Sequence, residues 1–315
     1  MHFQYEKNME IRALRYFAAV AETGHMTRAA EQLGIQQPPL SQQIKSLERE
    51  LGVALFRRHP RGMALTDAGR HFQAEATRML QDMESIKQRM LRVAKGQEGV
   101  LSVGFTSSAA AHRFMPDALR AFRRSHPGVE LKLRENNAAE LTEALVAGRL
   151  HCGLLRVPVA RPEGLVFETL LREPVLVAMP RDHRFAGDGD SEGSGTVAPP
   201  LSLPRLCEED IILVRRPGAP GLYADLLTLC NARGLRPHVV AEVDRMMTNL
   251  NLVAAGVGLS VVPASMGGVH PHAIRYGPLA GSEPLDAPLT LVSRQGEDSQ
   301  PALHFAALLR ALAAA

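Results

Sequence analysis

The segment from Thr27 to Leu65, TRAAEQLGIQQPPLSQQIKSLERELGVALFRRHPRGMAL, constrains the fold more than any other part of this chain. Its residues predict a short helix capped by Thr27, a turn at Gly34, and a second helix that opens at Pro38-Pro39 and closes at Gly52. Two short apolar runs, VALF and MAL, then flank a turn that holds three arginines. This order predicts a winged helix-turn-helix, an all-α domain that carries a small β-hairpin.

The second helix of this segment has two distinct faces. Leu40, Ile44, Leu47 and Leu51 recur at intervals of four, three and four residues, which places them in one stripe facing a core. The opposite face carries groups that hydrogen-bond base edges and phosphates. A polar helix face or a basic loop alone is common on protein surfaces, but their combination indicates DNA binding. The residues that we expect to contact DNA are Thr27, Gln37, Pro38, Pro39, Ser41, Gln42, Gln43, Lys45, Arg49, Arg57, Arg58 and Arg61.

The positive charge of the chain is concentrated at the same end. Residues 1–100 contain 15 Lys and Arg against 11 Asp and Glu, whereas the remaining residues contain 21 against 22. This asymmetry agrees with a nucleic-acid-binding N-terminal domain. The total of 315 residues is enough for two or three domains.

A long helical pattern follows the hairpin, from residue 67 to residue 94. Because a narrow apolar seam on a lone helix is usually buried against a partner helix, we expect self-association here. The seam consists of Phe72, Ala76, Met79, Leu80, Met83, Ile86, Met90 and Val93. We expect residues 1–8 to form a loose extension, residues 9–66 the DNA-binding domain, and residues 95–99 a hinge.

From Val100 onwards, strand patterns alternate with helix patterns. This alternation predicts βαβ units with largely parallel sheets, arranged as a multidomain α/β region of two lobes. We expect the first lobe to comprise residues 100–170 and 273–315, and the second lobe residues 171–272. Together these residues would form one ligand-binding domain, 100–315.

Hydroxyl and arginine side chains follow two of the first-lobe strands. Thr106, Ser107 and Ser108 come after the first strand and before a helix, where hydroxyls and helix N–H groups can cradle an anion. Arg156 ends the third strand and could clamp a carboxylate with two hydrogen bonds. An ordinary polar loop is the alternative for the three hydroxyl residues.

Motifs for catalysis are missing from the sequence. No GxSxG, HExxH, P-loop or GxGxxG pattern occurs, so we expect neither an enzyme nor a cofactor or metal site. Cys152, Cys207 and Cys230 lack metal or redox spacing, and we expect reduced thiols in a cytoplasmic protein, with a redox-sensing pair as the alternative. No apolar run reaches about 18 residues, so we expect no membrane segment. A solute-binding α/β protein with an incidental helical domain is the alternative function.

Two stretches, LRYFAAVAETGHMTRAAEQLGIQQPPLSQQIKSLERELGVALFRR and LTDAGRHF, resemble the LysR-type transcriptional regulators. The resemblance implies a DNA-binding regulator with a dimerising linker helix and an effector domain like a type-2 periplasmic binding protein. It also implies a homotetramer on an imperfect inverted repeat in promoter DNA, with RNA polymerase as a further candidate partner. His25-Met26 stands where the family often has Ser-Phe, and Gln42 stands where many members have Arg.

The first-lobe sequence is similar to the branch of that family that senses acids such as muconate and benzoate. The branch pattern places effector contacts at Ser108, Arg156 and Arg172, and the cradle residues Thr106 and Ser107 with Asn137 and Gly221 complete the expected set. The chain departs from the branch at Ala138, where the branch has Thr, and at Gly221-Leu222, where it has Asn-Phe. We therefore expect a small organic acid effector whose identity the sequence leaves open.

Overall fold

A computed structural model describes residues 9–59, 62–156, 161–187, 197–214, 221–281 and 285–314. The chain divides into two compact units, Met1–Arg92 and Val93–Ala315. Across these ranges, no helix is both long enough and apolar enough to cross a membrane.

The first unit is a winged helix-turn-helix followed by a long helix. Its elements are α1 (Ile11–Thr23), α2 (Met26–Gln32), α3 (Gln37–Leu51), β1 (Phe56–His59), β2 (Gly62–Leu65) and α4 (Asp67–Ala94). The helices and the hairpin share one core, in which the ring of Phe17 lies 5.1 Å from that of Phe56 and 4.8 Å from that of Phe72. Proline occupies the first turn of α3, and Gly52 ends that helix with a φ of 68°, as predicted.

Two local predictions for this unit were wrong. Thr27 does not cap α2, because the helix begins at Met26 and the carbonyl of His25 accepts the first helical hydrogen bond, from Ala29. Arg57 and Arg58 do not lie in the hairpin turn either, because β1 extends from Phe56 to His59 and includes them. Arg61, the third arginine, is outside the described residues.

The long helix α4 changes environment along its length. Ala76 is buried in the core of the first unit, and Phe72 and Leu80 pack against the same core. Four other side chains of the seam, Met79, Ile86, Met90 and Val93, are about half exposed, as is the neighbouring Leu91.

The second unit is a two-lobe α/β structure, which confirms the predicted fold class. Its elements, in chain order, are β3 (Glu98–Phe105), α5 (Ser107–Ala110), α6 (Phe114–Ser125), β4 (Gly128–Glu135), α7 (Ala138–Val146), β5 (Cys152–Leu155), β6 (Leu165–Glu173), β7 (Val175–Pro180), β8 (Leu201–Ser202), α8 (Leu203–Cys207), β9 (Asp210–Val214), α9 (Leu222–Ala232), β10 (His238–Val243), α10 (Met246–Ala254), β11 (Ser260–Pro263), β12 (Ile274–Ala280), β13 (Ala287–Arg294) and α11 (Gln300–Ala313). A 3₁₀ turn, Ala264–Met266, follows β11.

Each lobe has its own sheet and its own core. The first-lobe sheet has the strand order β4-β3-β5-β13-β6, and the second-lobe sheet has the order β11-β7-β12-β8 with β10-β9 beside it. The prediction of largely parallel sheets was wrong, because β13 runs antiparallel to β5 and β6, and β7 runs antiparallel to β11 and β12. The hydrophobic pattern does not encode strand direction, which depends on how the chain crosses between lobes.

The chain crosses between the lobes later than the sequence predicted. Strand β6 belongs to the first-lobe sheet up to Glu173, and only Pro174 separates it from β7 of the second lobe. Strand β12 pairs with β7, so the second lobe continues to Ala280 and does not end at His272. The hinge is also shorter than expected, because Glu98 and Gly99 already pair with β4.

Candidate functional site

Helix α3 exposes the polar face that the sequence assigned to DNA. Gln37, Pro38, Pro39, Gln42, Gln43, Lys45 and Arg49 are exposed, and Ser41 is half-buried. The opposite face is closed by Leu40, Ile44 and Leu47, which are at most 2% exposed. The exposed Thr27 lies beside this face, with its hydroxyl 3.5 Å from Oε1 of Gln37. The arrangement presents amides, a hydroxyl and two cations along one helix surface.

The β-hairpin is attached to α3 by Glu48. The Glu48 Oε1 atom accepts hydrogen bonds from the backbone N–H groups of Leu55 at 2.8 Å and Phe56 at 3.1 Å. These bonds fix the first residue of β1, and with it the exposed Arg57 and Arg58 that follow. Sequence reasoning missed this role, although an acidic residue within a DNA-facing helix was the signal that could have found it.

The other strand of the hairpin is attached to the turn between α1 and α2. The Met63 N–H donates to the Gly24 carbonyl at 2.7 Å. Gly62 makes this approach feasible, because a Cβ there would lie 2.3 Å from that carbonyl oxygen and 2.7 Å from the ring of His25. Its φ of 128° also disfavours any other residue. His25, where the chain departs from the family pattern, therefore lies next to Gly62 at the start of β2.

A cavity of about 140 Å³ lies between the two lobes of the second unit. Its size is close to that of a cavity of about 150 Å³ that holds benzene. Sequence reasoning missed most of the second-lobe wall, although its members cluster around the starts of two predicted helices. The residues that line the cavity on the first-lobe side are Thr106, Ser107, Ser108, Glu135, Asn136, Asn137, Ala138, Ala139 and Arg156; those from the second lobe and the crossings are Val214, Gly221, Leu222, Tyr223, Ala224, Asp244, Arg245, Met246, Pro263 and Ala287.

Four helices begin at this cavity. Thr106, Asn137, Gly221 and Arg245 are the N-cap residues of α5, α7, α9 and α10, and all four line it. The Asn137 side chain caps α7 through the Glu140 N–H at 2.9 Å, whereas no described side chain caps α9 or α10. Because unpaired N–H groups and helix dipoles favour negative charge, this wall suits an anion.

Tyr223 presents its ring to the cavity while its hydroxyl is engaged in the second lobe. The hydroxyl donates to the Val261 carbonyl at 2.7 Å and accepts from Nδ2 of Asn249 at 3.2 Å. Burial raises the pKa of Tyr223 above its usual range, so the group stays neutral. The ring therefore contributes an apolar surface to the cavity.

Arg156 lines the cavity, but other protein groups already surround its guanidinium. Its guanidinium forms an ion pair with Glu173 and donates from Nη2 to the Ser108 carbonyl at 3.0 Å and to Oγ of Ser265 at 2.9 Å. Nη1 donates to the Ala287 carbonyl at 3.3 Å. Burial lowers the pKa of Arg156 and the Glu173 charge opposes that shift, so the guanidinium remains charged. The predicted clamp for a ligand carboxylate thus holds a carboxylate of the protein itself.

Arg172 is not brought to the cavity. Its side chain is 61% exposed and donates from Nη1 to both carboxylate oxygens of Asp286 at 2.9 Å. Adjacent residues of a strand point to opposite faces, so the alternation that buries Glu173 directs Arg172 to solvent. Of the effector contacts expected from the sequence, the cavity therefore collects Thr106, Ser107, Ser108, Asn137, Arg156 and Gly221, but not Arg172.

Two of the three cysteines are neighbours in the second lobe. Cys207 Sγ lies 3.5 Å from Cys230 Sγ, whereas Cys152 is buried in the first lobe. Burial raises the pKa of Cys207 to about 12, which suppresses the reactive thiolate. This environment suits reduced packing residues better than a redox sensor.

We predict that Gly62→Ala releases the second strand of the hairpin from the turn between α1 and α2. The added Cβ clashes with the Gly24 carbonyl, so the hydrogen bond from Met63 should break. Hydrogen–deuterium exchange should show faster exchange of the Met63 amide than in the wild-type protein.

Gly34→Ala is the matched control, because Gly34 also has a positive φ, 67°, but a Cβ added there would meet no atom within 4 Å. The variant carries backbone strain without the clash and should leave the Met63 amide protected. Equal protection of Met63 in both variants would contradict the assigned docking.

Comparison with known proteins assigns both units to domains of one protein family. The profile of the LysR substrate binding domain matches residues 94–314, and that of the bacterial regulatory helix-turn-helix protein, lysR family, matches residues 11–70. The chain is 38% identical over 298 residues to the uncharacterized HTH-type transcriptional regulator YnfL of Escherichia coli K12, covering 95% of this chain and 97% of YnfL. It is 36% identical over 257 residues to the HTH-type transcriptional regulator AlsR of Bacillus subtilis, covering 82% and 81%.

A solved structure extends the similarity to the whole fold. CbnR, described as a LysR family transcriptional regulator, matches with a TM-score of 0.76 and 30% identity over 96% of this chain and all of CbnR. Full-length CbnR complexed with its target DNA matches with the same TM-score over 97% of this chain.

Proposed function

This chain belongs to the LysR family of DNA-binding transcriptional regulators, and we propose that a small acid, bound between its two α/β lobes, controls it. The regulators of this family are not enzymes, and the two matching profiles account for a DNA-binding end and an effector-binding end. The single observation that carries the acid proposal is the convergence of four helix N-termini on one interlobe cavity.

We propose that α3 reads bases in the major groove while the hairpin contacts the backbone. Helices of this size fit the major groove, and amides such as Gln42 and Gln43 can pair with base edges. Thr27, Gln37, Pro38, Pro39, Ser41, Lys45 and Arg49 complete the proposed surface on and beside α3. Arg57, Arg58 and Arg61 would neutralise phosphates without reading sequence.

Gln42→Ala should relax base preference, because it removes one direct base contact. We expect a loss of about 1–3 kcal/mol on the preferred operator and little change on other sequences. Arg57→Ala should weaken all sequences alike and flatten the dependence of affinity on salt. Fluorescence anisotropy with the promoter of its own gene and a scrambled duplex measures both effects.

Arg124→Ala serves as the control, since Arg124 is an exposed cation on α6 of the second unit and is not part of the proposed surface. Binding of wild type without sequence preference or salt dependence would contradict the DNA-reading proposal.

We propose a dimer through the exposed seam of α4, and a tetramer built from two dimers. Ile86, Met90 and Val93 are half-exposed, and no described part of the single chain covers them, so a partner helix could bury them. A dimer matches an inverted repeat whose half-sites lie about one helical turn, or a multiple, apart. The structure of full-length CbnR complexed with its target DNA supports DNA binding by a chain of this fold. We also propose a cytoplasmic location, and RNA polymerase as a further candidate partner.

The effector that we propose is a small carboxylate or aromatic acid. A cavity of about 140 Å³ admits a molecule of roughly benzene size. Thr106, Ser107, Ser108 and the N-termini at Asn137 and Gly221 supply donors for one carboxylate. The apolar wall, which includes Leu222, Met246 and Pro263, supplies a surface for the rest of the molecule. The aromatic-acid branch that the first-lobe sequence resembles is compatible with this site.

Control of transcription would follow from a shift in population. An acid that contacts both lobes favours one interlobe geometry over the other, and α4 would pass that preference to the DNA-binding domains. In this proposal, residues 9–66 bind DNA, residues 67–94 form the dimerising helix, and residues 100–315 sense the acid.

Ser107→Ala should weaken acid binding, because a hydrogen bond to a charged group contributes about 1.5–3 kcal/mol. Isothermal titration of the full-length protein with benzoate measures the loss, which should be about tenfold or more. Ser125→Ala is the control, since the Ser125 hydroxyl only bonds the end of its own helix and the adjacent His126. Equal benzoate affinity in both variants would contradict the hydroxyl cradle.

A further inference from the structure

A buried ion pair borders the effector cavity through Arg156, which lines it, whereas its partner Glu173 does not. Arg156 is 7% exposed and Glu173 is 8% exposed, and they contact each other at the point where the chain crosses between lobes. Glu173 also accepts hydrogen bonds from the N–H of Ser265 at 2.7 Å and from its hydroxyl at 3.0 Å. The Glu173 carboxylate is therefore satisfied by three donors from two other segments.

This pairing changes what Arg156 can offer a ligand. The guanidinium lines the cavity, but its charge is balanced by Glu173 and its donors face Ser108, Ser265 and Ala287. A ligand carboxylate that took Arg156 would leave Glu173 buried without its cation. Such an unpaired buried charge is strongly unfavourable.

We propose that Glu173 is a specificity-determining residue of the cavity: by keeping Arg156 in an internal ion pair, it selects monocarboxylates over dicarboxylates. The inference rests on the proposed acid effector and names its class. One carboxylate binds at the hydroxyl cradle and the helix N-termini. A second carboxylate beside Arg156 would meet a guanidinium whose charge Glu173 already balances, and not an available cation.

The test compares two acids that differ only in the second carboxylate. Sorbate and trans,trans-muconate share one diene chain, which ends in a methyl group in sorbate and in a second carboxylate in muconate. Isothermal titration of the full-length wild type should show sorbate binding tighter. Glu173→Gln keeps the shape and one acceptor oxygen for Ser265 but removes the charge that pairs with Arg156, so the ratio of the two affinities should shift towards muconate by about tenfold or more.

Glu168→Gln is the matched control. Glu168 lies on the same strand, β6, but pairs with Arg310 at 2.8 Å on an exposed face. Loss of the Glu168 charge should leave the ratio of the sorbate and muconate affinities unchanged, because the substitution removes a charge from the same strand without changing the cavity.

If Glu173→Gln fails to fold, the comparison of the two acids on wild type still tests the proposal, because it needs no variant. Sorbate should bind wild type about tenfold or more tightly than muconate. Equal affinities of wild type for the two acids would overturn the proposal.

The remaining outcomes separate this inference from the function on which it rests. Tighter binding of muconate by wild type overturns the role of Glu173 and leaves the acid effector in place. The role of Glu173 is also overturned if a folded Glu173→Gln variant keeps the wild-type ratio of sorbate and muconate affinities. If neither acid binds wild type, the acid effector itself fails, and the selectivity falls with it.

Discussion

The ion pair between Arg156 and Glu173 is the interaction on which the effector domain depends most. It joins the end of β5 to the end of β6, and its hydrogen bonds reach Ser108 in the first lobe and Ser265 in the second. A hydrogen bond from Arg156 to the Ala287 carbonyl also connects the pair to β13, the strand by which the chain returns to the first lobe. Five segments thus meet at one charge pair, and removing either partner would leave an uncompensated buried charge that costs about 3–5 kcal/mol.

The position of this pair determines which groups in the cavity can attract an acid. With Arg156 already neutralised, attraction for an acid comes mainly from helix N-termini and hydroxyl groups among the described residues. These donors come from α5 and α7 on one lobe and from α9 and α10 on the other. A ligand that uses both sets interacts differently with each interlobe geometry, which is the requirement for coupling to a distant function.

Sequence patterns specified the DNA-binding end well because its signals are local. Pro38, Gly52 and the leucine stripe of α3 each act within one turn of helix, so the helix appeared where it was expected. Thr27 was misassigned because a cap depends on where the preceding backbone turns, and here the turn falls at His25. The role of Glu48 depends on a strand seven residues away, and the only local signal for it is an acidic residue on a helix that faces DNA.

The effector site was predicted only in part for a different reason. The hydroxyls at residues 106–108 sit at a strand end and could be found from the strand–helix pattern. Arg172 and Glu173 are neighbours in sequence, and only the register of β6 decides that the carboxylate is buried and the guanidinium exposed. Asp244 and Arg245 line the cavity because the second lobe packs against the first. A long-range arrangement of that kind cannot be predicted from the spacing of residues in the sequence.

The central claim, that an acid held between the lobes changes how this regulator occupies DNA, is tested most directly by footprinting. DNase I protection of the promoter of its own gene would be measured with the full-length protein while benzoate is titrated. We predict that the boundary of the protected region changes over the same benzoate range as the calorimetric binding curve. A footprint that stays constant while benzoate saturates the protein would contradict the claim.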